Sequence, residues 1–234
     1  MHPTALSQTT IDRVTKRRGS VHAFKEIEPT KTALVVIDMQ NCFCKPGSAG
    51  EVPLAREIVP NINKLAKQLR SAGGVVAWVQ MTVKTKADWP IFLDLLVDEE
   101  LAAHYLQDLL PGGEGQKLWP EMQTESPDLF VEKNRFSAFL PSACNLGAQL
   151  RGRGIDTVII VGTLTNVCSE SSGRDAAMSD FKTIIVSDGN ACRSDEDHLA
   201  TLNTFMQVFG DVYSTDELVA MIQDAQQRVR TAAE

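Results

Sequence analysis

Apolar positions along this chain follow two rhythms. Short continuous runs rich in Val and Ile read as strands buried on both faces: Ala33 to Ile37, Val75 to Gln80, Leu129 to Glu132, Thr157 to Gly162 and Thr183 to Val186, with a short sixth near Asp211 to Tyr213. Between them, apolar residues recur at helical spacing. Ile62, Leu65 and Leu69 follow Pro60, which suits a helix start, and precede Gly73-Gly74, which stops it. Cys144 to Arg153, Ser169 to Ser179 and the face Leu199, Leu202, Met206 read as further helices, and Ser214-Thr215-Asp216-Glu217 has capping-box spacing before a last helix, Leu218 to about Val229. Strands alternating with helices predict an α/β fold: a doubly wound, mostly parallel six-stranded sheet with helices on both faces.

Two stretches fall outside that alternation. Residues 1–30 read as an N-terminal arm before a single domain at 31–234, and the basic run Arg13-Val14-Thr15-Lys16-Arg17-Arg18 reads as a solvated part of it. Met81 to Pro127 is a long connection with its own apolar stripe, Leu93, Leu96, Val97 and Leu101, broken at Pro111-Gly112-Gly113. A connection of that length usually carries function or an interface, and this one has too few apolar residues for an independent core. It is expected to act as a lid or a subunit contact.

Composition narrows the classes of partner. With 234 residues and 43% hydrophobic content the chain can build one sizeable core. A formal charge of −7 argues against nonspecific nucleic-acid binding, which needs clustered Lys and Arg. No apolar run reaches the length of a membrane span, so a small-molecule partner is expected. The five cysteines, Cys42, Cys44, Cys144, Cys168 and Cys192, form an odd set without a CxxC pair, and no secretory signal precedes them. Reduced thiols and a cytoplasmic setting follow. Cys42-Phe43-Cys44 is too tight for usual zinc ligation and has no second Cys/His pair, so neither metal nor cofactor is expected.

Chemistry enters at the strand ends. In open α/β sheets ligands bind beyond the carboxyl ends of the strands, and Asp38, Lys133 and Cys168 each stand just past a different predicted strand. Individually they could cap a turn, sit in solvent or pack in the core; at three equivalent positions they read as one site. A thiolate at Cys168, favoured by the Lys133 ammonium and by the positive end of the helix it opens, can attack a carboxamide or ureido carbonyl. Asp38 can take the thiol proton and pass it to the leaving amine. The backbone N–H groups of Thr165 and Cys168 are candidates for the oxyanion hole.

These residues lie in three separated motifs: Val35-Val36-Ile37-Asp38-Met39-Gln40-Asn41, then Lys133-Asn134-Arg135-Phe136-Ser137-Ala138-Phe139, then Gly162-Thr163-Leu164-Thr165-Asn166-Val167-Cys168-Ser169-Glu170-Ser171 with Arg174-Asp175-Ala176. In order and spacing, from about Ala33 to about Tyr213, the chain resembles the isochorismatase-like cysteine hydrolases. The resemblance implies a three-layer α/β/α, Rossmann-like domain, an Asp-Lys-Cys triad, a cis peptide at Leu164–Thr165, and a homodimer or homotetramer. Isochorismatases proper typically lack the nucleophilic cysteine, so Cys168 points to an amide or ureide C–N bond. Nicotinamidases typically carry metal-binding histidines after strand 2, whereas no histidine occurs here between His22 and His104. The remaining resemblance is to metal-free carbamoyl and ureide hydrolases, such as N-carbamoylsarcosine amidase, ureidoacrylate amidohydrolase and biuret or triuret hydrolase. Met81 stands where ureidoacrylate-type enzymes tend to have a polar residue.

Phe43, Gln80, Phe136, Phe139 and Gln207 are the expected substrate contacts, the two glutamines because an amide side chain can both donate to a carbonyl and accept from an N–H. Arg174-Asp175 is expected to be a structural ion pair, and His104 and His198 surface or helix histidines. The leading expectation is a cysteine-dependent amidohydrolase working through a covalent thioester with release of ammonia. The alternatives are an isochorismatase-type hydrolase of a non-amide substrate and an inactive member acting as an interaction protein. A nucleotide- or flavin-binding module is disfavoured because Asp38-Met39-Gln40-Asn41 supplies no glycine-rich turn.

Overall fold

A computed structural model of the chain describes residues 1–233. Six strands, β1 (Thr32–Ile37), β2 (Val75–Met81), β3 (Leu129–Lys133), β4 (Thr157–Thr163), β5 (Lys182–Ala191) and β6 (Asp211–Tyr213), form one sheet in the order β3-β2-β1-β4-β5-β6. Every pairing in it is parallel. The order reverses between β1 and β4, which puts the switch point of the sheet beyond Ile37 and Thr163.

The helices are α1 (Gln8–Arg18), α2 (Asn41–Cys44), α3 (Val59–Ser71), α4 (Glu99–Asp108), α5 (Leu146–Gly152), α6 (Glu170–Met178), α7 (Asp195–Val208) and α8 (Thr215–Ala233). Alternation along β1 assigns the two faces: Leu34 and Val36 pack with α3 and α8, whereas Ala33, Val35 and Ile37 pack with α1, α5, α6 and α7. The result is the expected three-layer α/β/α arrangement. The last helix starts where its capping box places it, with the Ser214 amide donating to Glu217 at 2.7 Å and the Glu217 amide returning a bond to Ser214 Oγ at 3.4 Å. No helix among the described residues is long and apolar enough to cross a membrane.

Three features depart from the sequence expectations. The basic run is not a solvated arm, because α1 buries Val14 and lies on α7. Arg18 pairs with the buried Asp211 at 2.7 Å, and that carboxylate also accepts from the Ala23 and Phe24 amides at 2.8 and 2.7 Å. The apolar stripe after Met81 is not one helix; a π-turn at Phe92–Leu96 and α4 divide it, and Leu96 is exposed. Strand β5 runs on to Ala191 instead of stopping at Val186. It does so through a bulge: Ile160 pairs with Ile185 but Gly162 with Asn190, and Asn190 Nδ2 donates to the carbonyls of Ile160 and Val186 at 2.9 and 2.8 Å. The side chain thereby satisfies backbone acceptors beside the interrupted ladder.

Gly162 fixes the distance between β1 and β4 at the switch point. Its φ is +117° and a Cβ there would stand 2.1 Å from the Ile37 carbonyl oxygen. Gly162→Ala is therefore expected to lower stability by at least about 3 kcal/mol, since it combines a forbidden backbone region with overpacking against main chain. Urea denaturation of the purified variant measures this, and a wild-type midpoint would refute it.

Candidate active site

Asp38 leaves β1 with a φ of 50°, a left-handed conformation that Asp tolerates better than most residues. Its amide donates to the Val79 carbonyl at 3.0 Å and its carbonyl accepts from Thr163 Oγ1 at 3.1 Å, so β2 and β4 both hold the turn. Lys133 reaches inward from the end of β3. Its Nζ donates to Asp38 Oδ2 at 2.7 Å and to the Arg135 carbonyl at 3.1 Å, and it touches Met81 Sδ at 3.6 Å. Both side chains are at most 1% exposed. Cys168 stands beside them, buried, in a π-turn at Thr165–Ser169 that leads into α6. The structure thus brings together the three residues that the strand-end argument selected.

The protonation states differ from the simple expectation of a resting thiolate. Burial pushes the Cys168 thiol well above its ordinary value; the Lys133 ammonium opposes that rise and the Asp38 carboxylate adds to it. Burial likewise raises Asp38 above the usual carboxylate range, against the pull of Lys133. For Lys133 burial acts downward, but the charges of Asp38 and Cys168 outweigh it and the ammonium is held above its ordinary value. These directions favour a thiol over a thiolate at Cys168, beside the Asp38–Lys133 contact. Asp38 Oδ1 is buried and has no hydrogen-bond partner among the described residues, so one oxygen of the carboxylate remains available to a proton.

Around the thiol, the long connection after β2 closes a cavity of about 230 Å³. Cys168 is at its inner surface; Phe43, Phe136, Trp89, Phe92 and Tyr105 supply aromatic walls. Trp89 and Phe92 stack at 4.6 Å and both meet the Phe136 ring edge-on, at 4.6 and 5.4 Å. Phe43 and Phe136 are therefore where the sequence placed them. The other three expected contacts are not. Phe139 packs in the core against Phe181, with ring centroids 5.5 Å apart. Gln80 donates to the Gln116 carbonyl at 2.8 Å, away from the cavity. Gln207 lies on α7, where it donates to Thr10 Oγ1 at 3.1 Å and accepts from Arg13 at 3.1 Å, tying α1 down.

Smaller expectations are corrected too. The cis peptide is Thr163–Leu164, one residue earlier than implied. Arg174 pairs with Glu170 (Nε–Oε1 3.0 Å), not with Asp175, because residues four apart share a helix face and adjacent ones do not. His198 is fully buried: its Nε2 faces the Ser187 carbonyl at 3.0 Å and its Nδ1 the Thr165 hydroxyl at 2.9 Å. In the turn itself the Val167 and Ser169 amides both donate to the Leu164 carbonyl at 3.1 Å, which withdraws them from oxyanion binding.

Two residues at the candidate site escaped the sequence reading. Gln40, fully buried, donates to the Met81 and Gln116 carbonyls at 3.0 and 2.8 Å and accepts from the Met81 amide at 2.7 Å, joining β2 to the far end of the long connection. Arg193 lies two residues past the end of β5 and, among the described residues, is the one charged side chain lining the cavity. The strand-end rule would have found it had β5 not been ended early at Val186.

The isochorismatase domain family matches residues 32–217. The ureidoacrylate amidohydrolase RutB of Acinetobacter baylyi is 32% identical over 250 residues, covering 96% of this chain and 99% of its own. Among solved structures, a cysteine hydrolase from Pseudomonas syringae pv. phaseolicola 1448A superposes with a TM-score of 0.76 at 30% identity, over 86% of this chain and 96% of its own. N-carbamoylsarcosine amidase from Thermoplasma acidophilum does so with a TM-score of 0.65 at 27% identity, over 80% and 97%.

The geometry generates two predictions. Cys168→Ala should fold normally and lose roughly three or more orders of magnitude in kcat, while Asp38→Asn combined with Lys133→Met should be little worse than either single change. Steady-state kinetics on the wild type and the four variants checks both statements; logarithmic effects that simply add would separate the residues. The acid limb of kcat/KM should follow the carboxylate as it loses its proton, and so fall above the ordinary Asp value of 3.8. Because Lys133 is held above 10.5, no alkaline loss due to it is expected below that pH. A pH–rate profile decides.

Proposed function

The chain belongs to the isochorismatase family, and on that premise we propose that it is a cysteine-dependent amidohydrolase cleaving the C–N bond of a small carboxamide, carbamoyl or ureido compound. The observation that carries this reading is the buried Asp38–Lys133 pair next to Cys168 at the inner surface of an apolar cavity. A vinyl-ether hydrolysis has no use for a nucleophilic sulfur, whereas an amide needs both a nucleophile and an acid for its poor leaving group. Relatives named ureidoacrylate amidohydrolase and N-carbamoylsarcosine amidase support the same chemistry.

In this mechanism Asp38 takes the thiol proton as sulfur attacks the carbonyl carbon, and Lys133 offsets the charge that forms on sulfur. The Thr165 and Cys168 amides receive the oxyanion. Asp38 then returns the proton to the departing nitrogen, which leaves as ammonia, and a thioester remains on Cys168. Water attacks that thioester with Asp38 again as base, releasing the acid product and restoring the thiol.

The walls define the substrate more closely. With Gln80 and Gln207 directed elsewhere, recognition does not rest on amide side chains. The lining is aromatic and aliphatic apart from Arg193, whose guanidinium neighbours the Tyr105 hydroxyl. A compact apolar body, with its amide at Cys168 and a carboxylate or second carbonyl at Arg193, suits that distribution.

Arg193→Gln should raise KM for amides that carry a carboxylate by about 10- to 100-fold, the weight of one charged hydrogen-bonded contact, and leave kcat for neutral amides unchanged. A panel of ureas, carbamoyl amino acids and carboxamides scored by ammonia release tests the specificity, and intact-protein mass spectrometry after rapid quench tests the thioester. Turnover of isochorismate without ammonia, or turnover with no adduct under any trapping condition, would refute the amidohydrolase reading.

A further inference from the structure

Apart from the Cys168 cavity, His2, Cys192 and His198 converge in the protein interior with one potential ligand atom each, all within 4.8 Å of one another. We propose that they form a zinc-binding site, separate from the catalytic triad, with the His2 and His198 imidazoles and the Cys192 thiolate as protein ligands. His2 and His198 are 5% and 0% exposed and Cys192 is 1% exposed, so the cluster is shielded from water.

The hydrogen bonds behind the two imidazoles are those that metal-bound histidines use. A ligating histidine donates its other ring N–H to a carboxylate or a backbone carbonyl, which fixes the ring and raises its basicity. His2 Nδ1 contacts Asp195 Oδ1 at 2.6 Å, and His198 Nε2 faces the Ser187 carbonyl at 3.0 Å. A carbonyl only accepts, so Nε2 of His198 carries the proton and Nδ1 presents a lone pair.

The two rings stack with centroids 4.6 Å apart. Their inward nitrogens make local contacts: His2 Nε2 meets the Cys192 amide at 3.1 Å, and the Thr165 hydroxyl donates to His198 Nδ1 at 2.9 Å. Cys192 Sγ donates to the Ser194 carbonyl at 3.2 Å. Zinc would replace these contacts. Cys192 loses its thiol proton to solvent, a Zn–S bond and two Zn–N bonds form, and the Thr165 hydroxyl or a water closes the tetrahedron. Zn–N and Zn–S distances of about 2.0–2.3 Å require the three donors to draw together by roughly 1 Å.

The test uses the untagged 234-residue chain, stripped with chelator and titrated with Zn²⁺ against a chromophoric competitor, followed by gel filtration and elemental analysis. One zinc per chain is expected. His2→Ala and Cys192→Ser should each weaken binding by at least about 10-fold, and Asp195→Asn by about 10-fold, as for loss of a histidine's carboxylate partner. Cys168→Ala should bind as the wild type does, which separates this site from the proposed amidohydrolase chemistry. Co²⁺ in place of zinc should give a thiolate-to-metal charge-transfer band that Cys192→Ser lacks. If Cys192→Ser does not fold, His2→Ala decides. A wild-type chain that retains no zinc, or a folded His2→Ala variant with wild-type affinity, overturns the proposal.

Discussion

Burying Asp38 and Lys133 together is the most demanding thing this fold does, and much of the surrounding structure answers to it. Two opposite charges out of water are tolerable only when their geometry is good and their remaining hydrogen-bonding capacity is used. Here a 2.7 Å contact joins them, a backbone carbonyl takes a second ammonium proton, and the Asp38 main chain is held from both sides. What is left over, among the described residues, is one carboxylate oxygen without a partner. In the proposed mechanism that unmet acceptor is what lets the ion pair serve as a base, since the same low dielectric that penalises the charges also favours the proton on the Cys168 sulfur.

The parts of this arrangement that were legible in the sequence are those that depend on topology. Runs such as Val35-Val36-Ile37 and Val158 to Val161 can only be strands covered on both faces, and a parallel sheet delivers the residue after each such run to the same edge. Asp38, Lys133 and Cys168 followed from that. Gln80 and Gln207 did not, because their side-chain directions depend on partners distant in sequence: the Gln116 carbonyl for one, Thr10 and Arg13 on α1 for the other. Phe139 was lost for a related reason; an aromatic ring carries no sign of whether it faces a ligand or another ring.

The misread end of β5 shows how a local irregularity hides a cavity-lining residue. Ser187-Asp188-Gly189 has the composition of a turn, and by composition the strand should stop there. The chain instead bulges, Asn190 takes up the carbonyls at the break, and pairing resumes for Asn190 and Ala191. Only then do Cys192 and Arg193 arrive at the sheet edge, one facing the two histidines and the other the cavity. His198 lies on a helix, as one of the two expectations had it, but a histidine in an otherwise amphipathic helix gives no hint that Thr165, in the turn that carries Cys168, will lie against it.

The cavity and the proposed catalytic residues come from different kinds of chain. Asp38, Lys133 and Cys168 are fixed by the sheet, where a shift in one strand displaces its neighbours. Most of the wall, from Val83 to Leu109, is a single uninterrupted segment lying over that edge, anchored at its return by Gln40 and Gln116. Such a division lets the two evolve at unequal rates. Substitutions, insertions or even wholesale exchange within the segment can reshape what enters while the proton-transfer geometry stays intact, so descendants of one ancestral hydrolase can diverge in diet without ever passing through an inactive intermediate.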